Sequence, residues 1–207
     1  MKVKVCGMRT WENIQMVAIT SPDFMGFIHY ADSPRDVSKL KMKFVIQSLP
    51  EHIEPVAVFV DADVDFVRSK VEENGYTHVQ LHGSESPEYC RNIMSDVKII
   101  KAFNITKDFD FAVLEEYEQV CDYYLFDTAG REPGGTGKKF NWDVLKDYVG
   151  EKPFFLSGGI GEADVAKIKS LVMPALFAID VNSKFEIEPA VKDSGMLGLF
   201  INEIRNG

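Results

Sequence analysis

The sequence predicts a single (β/α)8 TIM barrel, the closed α/β fold in which eight parallel strands alternate with helices. Short apolar, β-branched runs alternate with segments of helical periodicity throughout the 207 residues, which is typical of repeated βα units. The runs are nearly continuous, as in strands that are covered on both faces. An open doubly wound sheet fits the same pattern, because periodicity does not reveal whether a sheet closes. Eight units in about 200 residues match the short end of the barrel range.

The eight predicted strands are distributed over the whole chain. No linker rich in proline or serine and no shift in composition divides them, so one domain over residues 1–207 is expected. The strands are predicted at 3–6, 24–29, 55–60, 78–81, 97–102, 123–127, 153–156 and 175–180.

Helices are predicted between the strands. Thr10 is a candidate N-cap of the first helix, Ser86-Pro87 opens the fourth, and Gly75 ends the third. Apolar residues recur at helical spacing in the second helix, at Val37, Leu40, Phe44 and Val45. The later helices are expected over 109–120, 141–148, 162–172 and 193–205.

The composition is that of an ordinary globular protein with an acidic balance. The formal net charge of −9 counts against binding to nucleic acid or to an anionic membrane, since both attract basic surfaces. No window holds the roughly 18 apolar residues of a membrane-spanning helix. Cys6, Cys90 and Cys121 show neither disulfide nor CxxC spacing, so a reduced protein of the cytoplasm without a bound metal is expected.

Polar, glycine-rich and titratable residues follow the predicted strands at one end of the sheet. Cys6 ends the first strand, His82 follows the fourth and Asp127 ends the sixth. Ligands of parallel α/β folds bind at the carboxyl ends of the strands, so these side chains are candidates for a site. The further candidates at this end are Arg35, Gly158, Gly159, Asp180, Asn182 and Ser183.

Two segments predict a phosphate site. The Ser-Gly-Gly run at 157–159 stands directly before the helix expected near Glu162, where backbone amides would point at an anion. Residues 180–183 follow the next strand and add amides and the Ser183 hydroxyl; the loops after strands seven and eight commonly hold phosphate in this fold. A tight turn that merely needs glycine is the alternative. The glycine run at 134–137 fits neither P-loop nor GxGxxG, and a lid-like loop is expected there.

Each titratable candidate also has a plainer interpretation. Cys6 alone is more often buried core filler, and Arg35 could simply pair with Asp36 or another surface carboxylate. His82 could be a hydrogen-bonded core histidine. Zinc ligation by Cys6, His29 and His82 is not supported by any close ligand spacing.

Six stretches of the sequence form a recognisable set. They are KVCGMR (4–9), MGFIHYADSPRDVS (25–38), QLHGSESPEYC (80–90), LFDTAGREPGGTGKKFNW (125–142), FLSGGIG (155–161) and AIDVNSKFEIEPAVKD (178–193). Together, and in this order, they resemble the phosphoribosylanthranilate isomerase family of tryptophan biosynthesis. SGGI alone occurs in several phosphate-binding barrels, but the combination is far more specific. Ala190 stands where this family usually has glycine, and Ser84 where an acidic or amide residue is commoner.

The resemblance implies an Amadori rearrangement of N-(5-phosphoribosyl)anthranilate, a small phosphorylated substrate, without cofactor or metal. Asp127 would be the general acid at the furanose oxygen, and Cys6 the general base at C2. These roles require that a helix end lowers the pKa of Cys6 and that burial keeps Asp127 partly protonated. Arg35 would bind the anthranilate carboxylate. Phosphate would be held by Gly158, Gly159, Asn182 and Ser183, with Gly135 in the adjoining loop, and His82 and Asp180 would line the pocket. A monomer or weak homodimer is expected.

Other functions stay open at this point. An indole-glycerol-phosphate synthase would need a lysine acid; Lys101 lies within the fifth strand, but the acidic partners expected of that enzyme are not evident. A histidine-pathway isomerase would use two aspartates, one of them in place of Cys6. A catalytically silent binding protein on the same scaffold is a further alternative, since a fold does not guarantee activity.

Overall fold

A computed structural model, which describes residues 1–93, 97–127 and 142–206, shows a closed barrel of eight parallel strands in the order β1 to β8. The strands are β1 (Lys2–Cys6), β2 (Phe24–His29), β3 (Glu54–Phe59), β4 (His78–Leu81), β5 (Lys98–Asn104), β6 (Tyr123–Asp127), β7 (Phe154–Ser157) and β8 (Leu176–Val181). The pairing of β1 with β8, in which Lys4 lies opposite Asp180, closes the ring. The predicted barrel and its eight strands are therefore confirmed, and the open sheet is excluded.

Helices connect the strands on the outside of the barrel. The α-helices are α1 (Trp11–Ile19), α2 (Lys43–Gln47), α3 (Val64–Asn74), α4 (Pro87–Ile93), α5 (Val165–Lys169) and α6 (Ser194–Asn206). Short 3-10 helices cover Phe111–Tyr117, Trp142–Asp147, Glu162–Asp164 and Ser183–Phe185. Thr10 stands at the N-cap of α1 without a side-chain capping bond, whereas Gly75 ends α3 in the left-handed conformation, with φ of 80°. In the described part of the chain, no helix combines the length and apolarity needed to cross a membrane.

The second predicted helix is largely wrong. Only the short α2 forms there, and the chain before it runs through turns and bends. Val37 is buried, but Leu40 is 40% exposed and Phe44 is 70% exposed. The apolar spacing therefore does not make a buried helical stripe.

The core lies in two layers, one inside the barrel and one between the strands and the helices. Val3 and Val5 belong to the outer layer, and Cys6 belongs to the inner one. Because side chains alternate along a strand, the buried Lys4 shares the barrel interior with Cys6. Both faces of each strand are thus covered, which explains the nearly continuous apolar runs in the sequence.

A two-stranded antiparallel ribbon, which the sequence did not predict, follows β8. It pairs β9 (Glu186–Glu188) with β10 (Val191–Lys192). Ala190, just before β10, has φ of 70° and is almost fully buried. This left-handed conformation strains any residue with a Cβ and suits glycine, which gives a physical reason for the glycine that the resembling family usually has there. The ribbon brings Glu186 and Lys192 to the carboxyl mouth of the barrel.

Candidate active site

The two predicted catalytic residues lie at the same mouth of the barrel. Cys6 is the last residue of β1 and Asp127 is the last residue of β6. Because all eight strands are parallel, their carboxyl ends meet at this mouth. Gly135 and the loop predicted at 134–137 lie outside the described residues.

Asp127 is contacted by His82, which follows β4. The Nε2 atom of His82 lies 3.3 Å from Oδ2 of Asp127, and Nε2 of Gln80 lies 2.7 Å from Nδ1 of His82. Since the Gln80 amide donates to Nδ1, the ring proton of neutral His82 sits on Nε2 and points at Asp127. The side chain of His82 is 32% exposed, so it is not a core histidine. Gln80, a polar residue inside an apolar strand, is not among the site residues predicted from the sequence.

Cys6 lies deep in the mouth, above a buried ion pair. The Lys4 Nζ atom is 2.8 Å from Oδ1 of Asp180, and the Ser157 hydroxyl donates to Oδ2 of Asp180 at 3.1 Å. Burial raises the pKa of the Cys6 thiol, and the Lys4 ammonium opposes that rise. The expected lowering of this pKa by a helix start is wrong, because α1 begins only at Trp11.

Arg35 belongs to a second network of charges. Its Nε and Nη2 atoms donate to the two carboxylate oxygens of Glu186 at 2.7 and 2.5 Å, so its partner is not Asp36. The Lys192 Nζ atom donates to Oε1 of Glu186 at 2.5 Å and to Oδ1 of Asn182 at 2.6 Å. Burial works against the charge of Glu186, but Arg35 and Lys192 hold its pKa at about 2. Neither Glu186 nor Lys192 is among the site residues predicted from the sequence.

Gly7 joins this network to Cys6. Its φ of 78° is in the left-handed region, and a Cβ atom built there would lie 2.5 Å from Cδ of Arg35 and 2.9 Å from Oδ1 of Asn182. Only glycine allows these two side chains to pack directly on the chain beside Cys6. The guanidinium of Arg35 is therefore a neighbour of the candidate base.

The predicted phosphate-binding segments lie side by side after β7 and β8. Gly158 and Gly159 have φ of 113° and 65°, and a Cβ on Gly159 would meet nothing within 4 Å. In the described part of the chain, the amides of Gly158 and Gly159 donate to no carbonyl or side chain. Ser183 is exposed at the start of a 3-10 turn. These groups leave room and donors for an anion.

Lys101, the candidate acid of a synthase, is engaged elsewhere. Its buried Nζ atom bonds Oε2 of Glu85 at 2.9 Å and the Gly83 carbonyl at 2.8 Å. Glu85 in turn accepts from the amides of Gly83 and Asp61. This ion pair holds the loop that carries His82 and does not present an acid at the mouth. Among the described residues, no group of three or more His, Cys, Asp or Glu side chains is placed to hold a metal ion.

Fold and site together define a (β/α)8-barrel enzyme, the class whose catalytic groups stand on strand ends at the carboxyl mouth. Over residues 3–203, the sequence matches the family model of N-(5'-phosphoribosyl)anthranilate (PRA) isomerase. The chain belongs to this family.

Relatives and solved structures agree with this assignment along the whole chain. The N-(5'-phosphoribosyl)anthranilate isomerase of Phocaeicola vulgatus is 40% identical over 206 residues, which are 99% of this chain and 98% of the relative. That of Parabacteroides distasonis is 41% identical over 99% of this chain and 93% of its own. The crystal structure of the Thermotoga maritima isomerase is 30% identical, covers 100% of both chains and superposes with a TM-score of 0.88. A further solved isomerase, 27% identical with a TM-score of 0.85 and 100% coverage of both chains, is in complex with reduced 1-(o-carboxyphenylamino)-1-deoxyribulose 5-phosphate.

Proposed function

We propose that the protein isomerises N-(5'-phosphoribosyl)anthranilate to 1-(2-carboxyphenylamino)-1-deoxyribulose 5-phosphate in tryptophan biosynthesis. The observation that carries this proposal is the position of Cys6 and Asp127 at one mouth of the barrel in a chain that belongs to the family over nearly its whole length. The reaction moves one proton onto the sugar ring and takes another off C2. An acid and a base on separate strand ends suit those two transfers.

In the first step, Asp127 acts as general acid. The protonated carboxyl group gives its proton to the furanose ring oxygen, the bond from C1 to that oxygen breaks, and the nitrogen lone pair forms an iminium ion. The His82 N–H contact at 3.3 Å would hold the carboxyl group in a fixed orientation, because Gln80 fixes the histidine tautomer. His82 would thereby orient the general acid, a role that the sequence did not predict.

In the second step, Cys6 acts as general base. Its thiolate takes the proton from C2, and the electrons of the broken C–H bond neutralise the iminium ion and leave an enolamine. Tautomerisation of the enolamine gives the ketone product. Such a proton transfer contributes typically 10²–10⁴-fold to a rate.

Arg35 would bind the anthranilate carboxylate beside Cys6. A guanidinium carries five N–H donors in a rigid fork, and Glu186 takes two of them. The others are left for a planar anion, while Glu186 already fixes the plane of the fork. The contact of Arg35 with Gly7 supports its closeness to the reacting carbon.

The phosphate group would lie on Gly158 and Gly159, with help from Asn182 and Ser183. The open space over Gly159 and the amides without acceptors support this position. Asp180 would line the floor of the pocket between these loops and Cys6, since Ser157 and Lys4 both bond it.

The test of the proposal is turnover by the purified protein, followed as the loss of substrate fluorescence. Cys6→Ser and Asp127→Asn should each lower kcat by about 10² or more and move KM much less. The matched control is Cys90→Ser, which removes another buried thiol from the outer layer on α4 and should keep kcat. A folded Cys6→Ser protein with nearly unchanged kcat contradicts the base assignment. Absence of turnover in the unaltered protein favours a silent binding protein instead.

We also propose a reduced, cytoplasmic protein that is a monomer or weak homodimer. The three cysteines are free and buried, which supports a reducing environment. One solved neighbour comprises monomers generated from a dimeric Thermotoga maritima isomerase, so both states occur among related proteins. Sedimentation velocity over a range of protein concentrations decides between them.

A further inference from the structure

Lys4 is a charged residue in the interior of the barrel. Its side chain has no exposed surface, and burying an ammonium group is costly unless it is paired. Burial works against its charge, but Asp180 and Cys6 outweigh burial and raise the pKa of Lys4. The side chain is therefore a cation inside the barrel, at a place where the other inner side chains are mostly apolar.

The position of this cation follows from the strand register. Lys4 and Cys6 are two residues apart on β1 and point to the same side, and Lys4 lies opposite Asp180 on β8. The charged groups that act on Cys6 are Lys4, Asp180, Lys192 and Arg35. Of these, Lys4 is the one on the same strand and face as the thiol.

We propose that Lys4 is a positioning residue that acts through Cys6: its buried ammonium is the counter-charge of the Cys6 thiolate, and Asp180 fixes where the ammonium lies. The inference rests on the proposed role of Cys6 as base. A thiolate with no cation beside it would be too costly in this desolvated interior. Lys4 favours ionisation of the thiol and Asp180 disfavours it, so their removal has opposite effects.

The direct test is the titration of Cys6 in the free protein. Cysteine labelled with ¹³C at Cβ reports thiol ionisation by NMR without needing access for a reagent, and Cys6→Ser assigns the signal. The comparison is between Asp180→Asn and the double variant Lys4→Met/Asp180→Asn, which differ only at residue 4 and bury no unpaired carboxylate there. The midpoint of Cys6 should be higher in the double variant by about one to three pH units. Asp180→Asn alone should lower it relative to the unaltered protein.

A second readout separates this role from a structural one. The rise of kcat/KM with pH should move to higher pH in the double variant relative to Asp180→Asn, so that alkaline pH restores part of the rate. A structural role would lower kcat/KM equally at every pH. The matched control is Lys101→Met/Glu85→Gln, which removes another buried ion pair and should leave the Cys6 midpoint unchanged.

Two outcomes overturn the proposal: equal Cys6 midpoints in the two variants, or an equal loss of kcat/KM at every pH. The failure of the proposed function looks different. In that case the unaltered protein shows no turnover, whereas the Cys6 midpoint still responds to Lys4.

Discussion

Replacing Glu186 by glutamine tests whether one carboxylate organises the mouth of the barrel. Glu186 accepts hydrogen bonds from Arg35 and Lys192, and its side chain is only 6% exposed. Glutamine keeps the size of the side chain and removes its charge, so Arg35 and Lys192 both lose their negatively charged partner, although Lys192 keeps its bond to Asn182. We expect Glu186→Gln to fold, to be less stable near neutral pH and to bind the substrate more weakly, because the plane of the Arg35 guanidinium is no longer fixed.

The magnitude follows from the pKa of Glu186. The network holds it at about 2 against an ordinary value of 4.5, and a difference of about 2.5 units corresponds to about 3.4 kcal/mol. Arg35 is 18% exposed, and solvent screening reduces the contribution to about 2 kcal/mol. Because the pKa is lower in the folded protein, this stability is fully present above pH 4.5 and is lost as the pH falls toward 2.

The assay is urea unfolding of both proteins from about pH 7 to about pH 2.5. Their free energies of unfolding should differ by about 2 kcal/mol near neutrality and approach each other below pH 4.5, because a protonated glutamate resembles glutamine. The control is Glu188→Gln on the same ribbon; Glu188 is exposed, and the change should stay within about 0.5 kcal/mol. A stability difference that persists undiminished in acid would refute the assignment of the low pKa to this network.

The other predictions concern the binding groups. Arg35→Ala should chiefly raise KM in steady-state kinetics, because in the proposed role the guanidinium binds the substrate carboxylate before and during the reaction; a fall in kcat alone would contradict that role. Gly7→Ala should cost about 1–2 kcal/mol in urea unfolding and lower kcat/KM, since its Cβ would meet Arg35 at 2.5 Å, whereas Gly198→Ala on α6 should cost nothing. Gly159→Ala should weaken phosphate binding in an NMR titration of backbone amides; unchanged affinity would move the phosphate site elsewhere.

The barrel was predictable because its physical causes are local. Strands covered on both faces become continuous apolar runs, and the eight that the sequence predicts match β1–β8 to within two residues. The helix predicted around Leu40 and Phe44 does not form as expected, because the spacing of apolar residues does not show what each residue packs against. Phe44 packs on the Trp11 ring near the surface, with ring centroids 5.5 Å apart. Its apolar contact is therefore an aromatic ring of α1, and Phe44 does not point into the core.

The candidate site was predictable only in part. Cys6 and Asp127 lie at the carboxyl ends of strands, where ligands bind in this fold, and the resemblance to the family implied their roles. Glu186 and Lys192 meet because an antiparallel ribbon folds back after β8, and nothing in their spacing predicted that ribbon. A signal for Lys4 did exist. Lys4 and Cys6 are two residues apart on β1 and therefore lie on the same face of the strand. Once Val3 and Val5 are assigned to the outer layer, Lys4 must point into the barrel.

The charged side chains around Cys6 have a net positive charge, which a Cys6 thiolate would neutralise. Lys4, Lys192 and Arg35 are positive, and the partners that bond them, Asp180 and Glu186, are negative. Three cations against two anions leave one positive charge in excess, in a region that water reaches poorly. A closed barrel gives this charge little access to solvent, so a thiolate at Cys6 would neutralise it within the protein. Burial raises the pKa of the Cys6 thiol and works against the charges of Lys4 and Lys192 as well, so the proposed role of Cys6 as base requires the cations that the strand register and the ribbon bring to it.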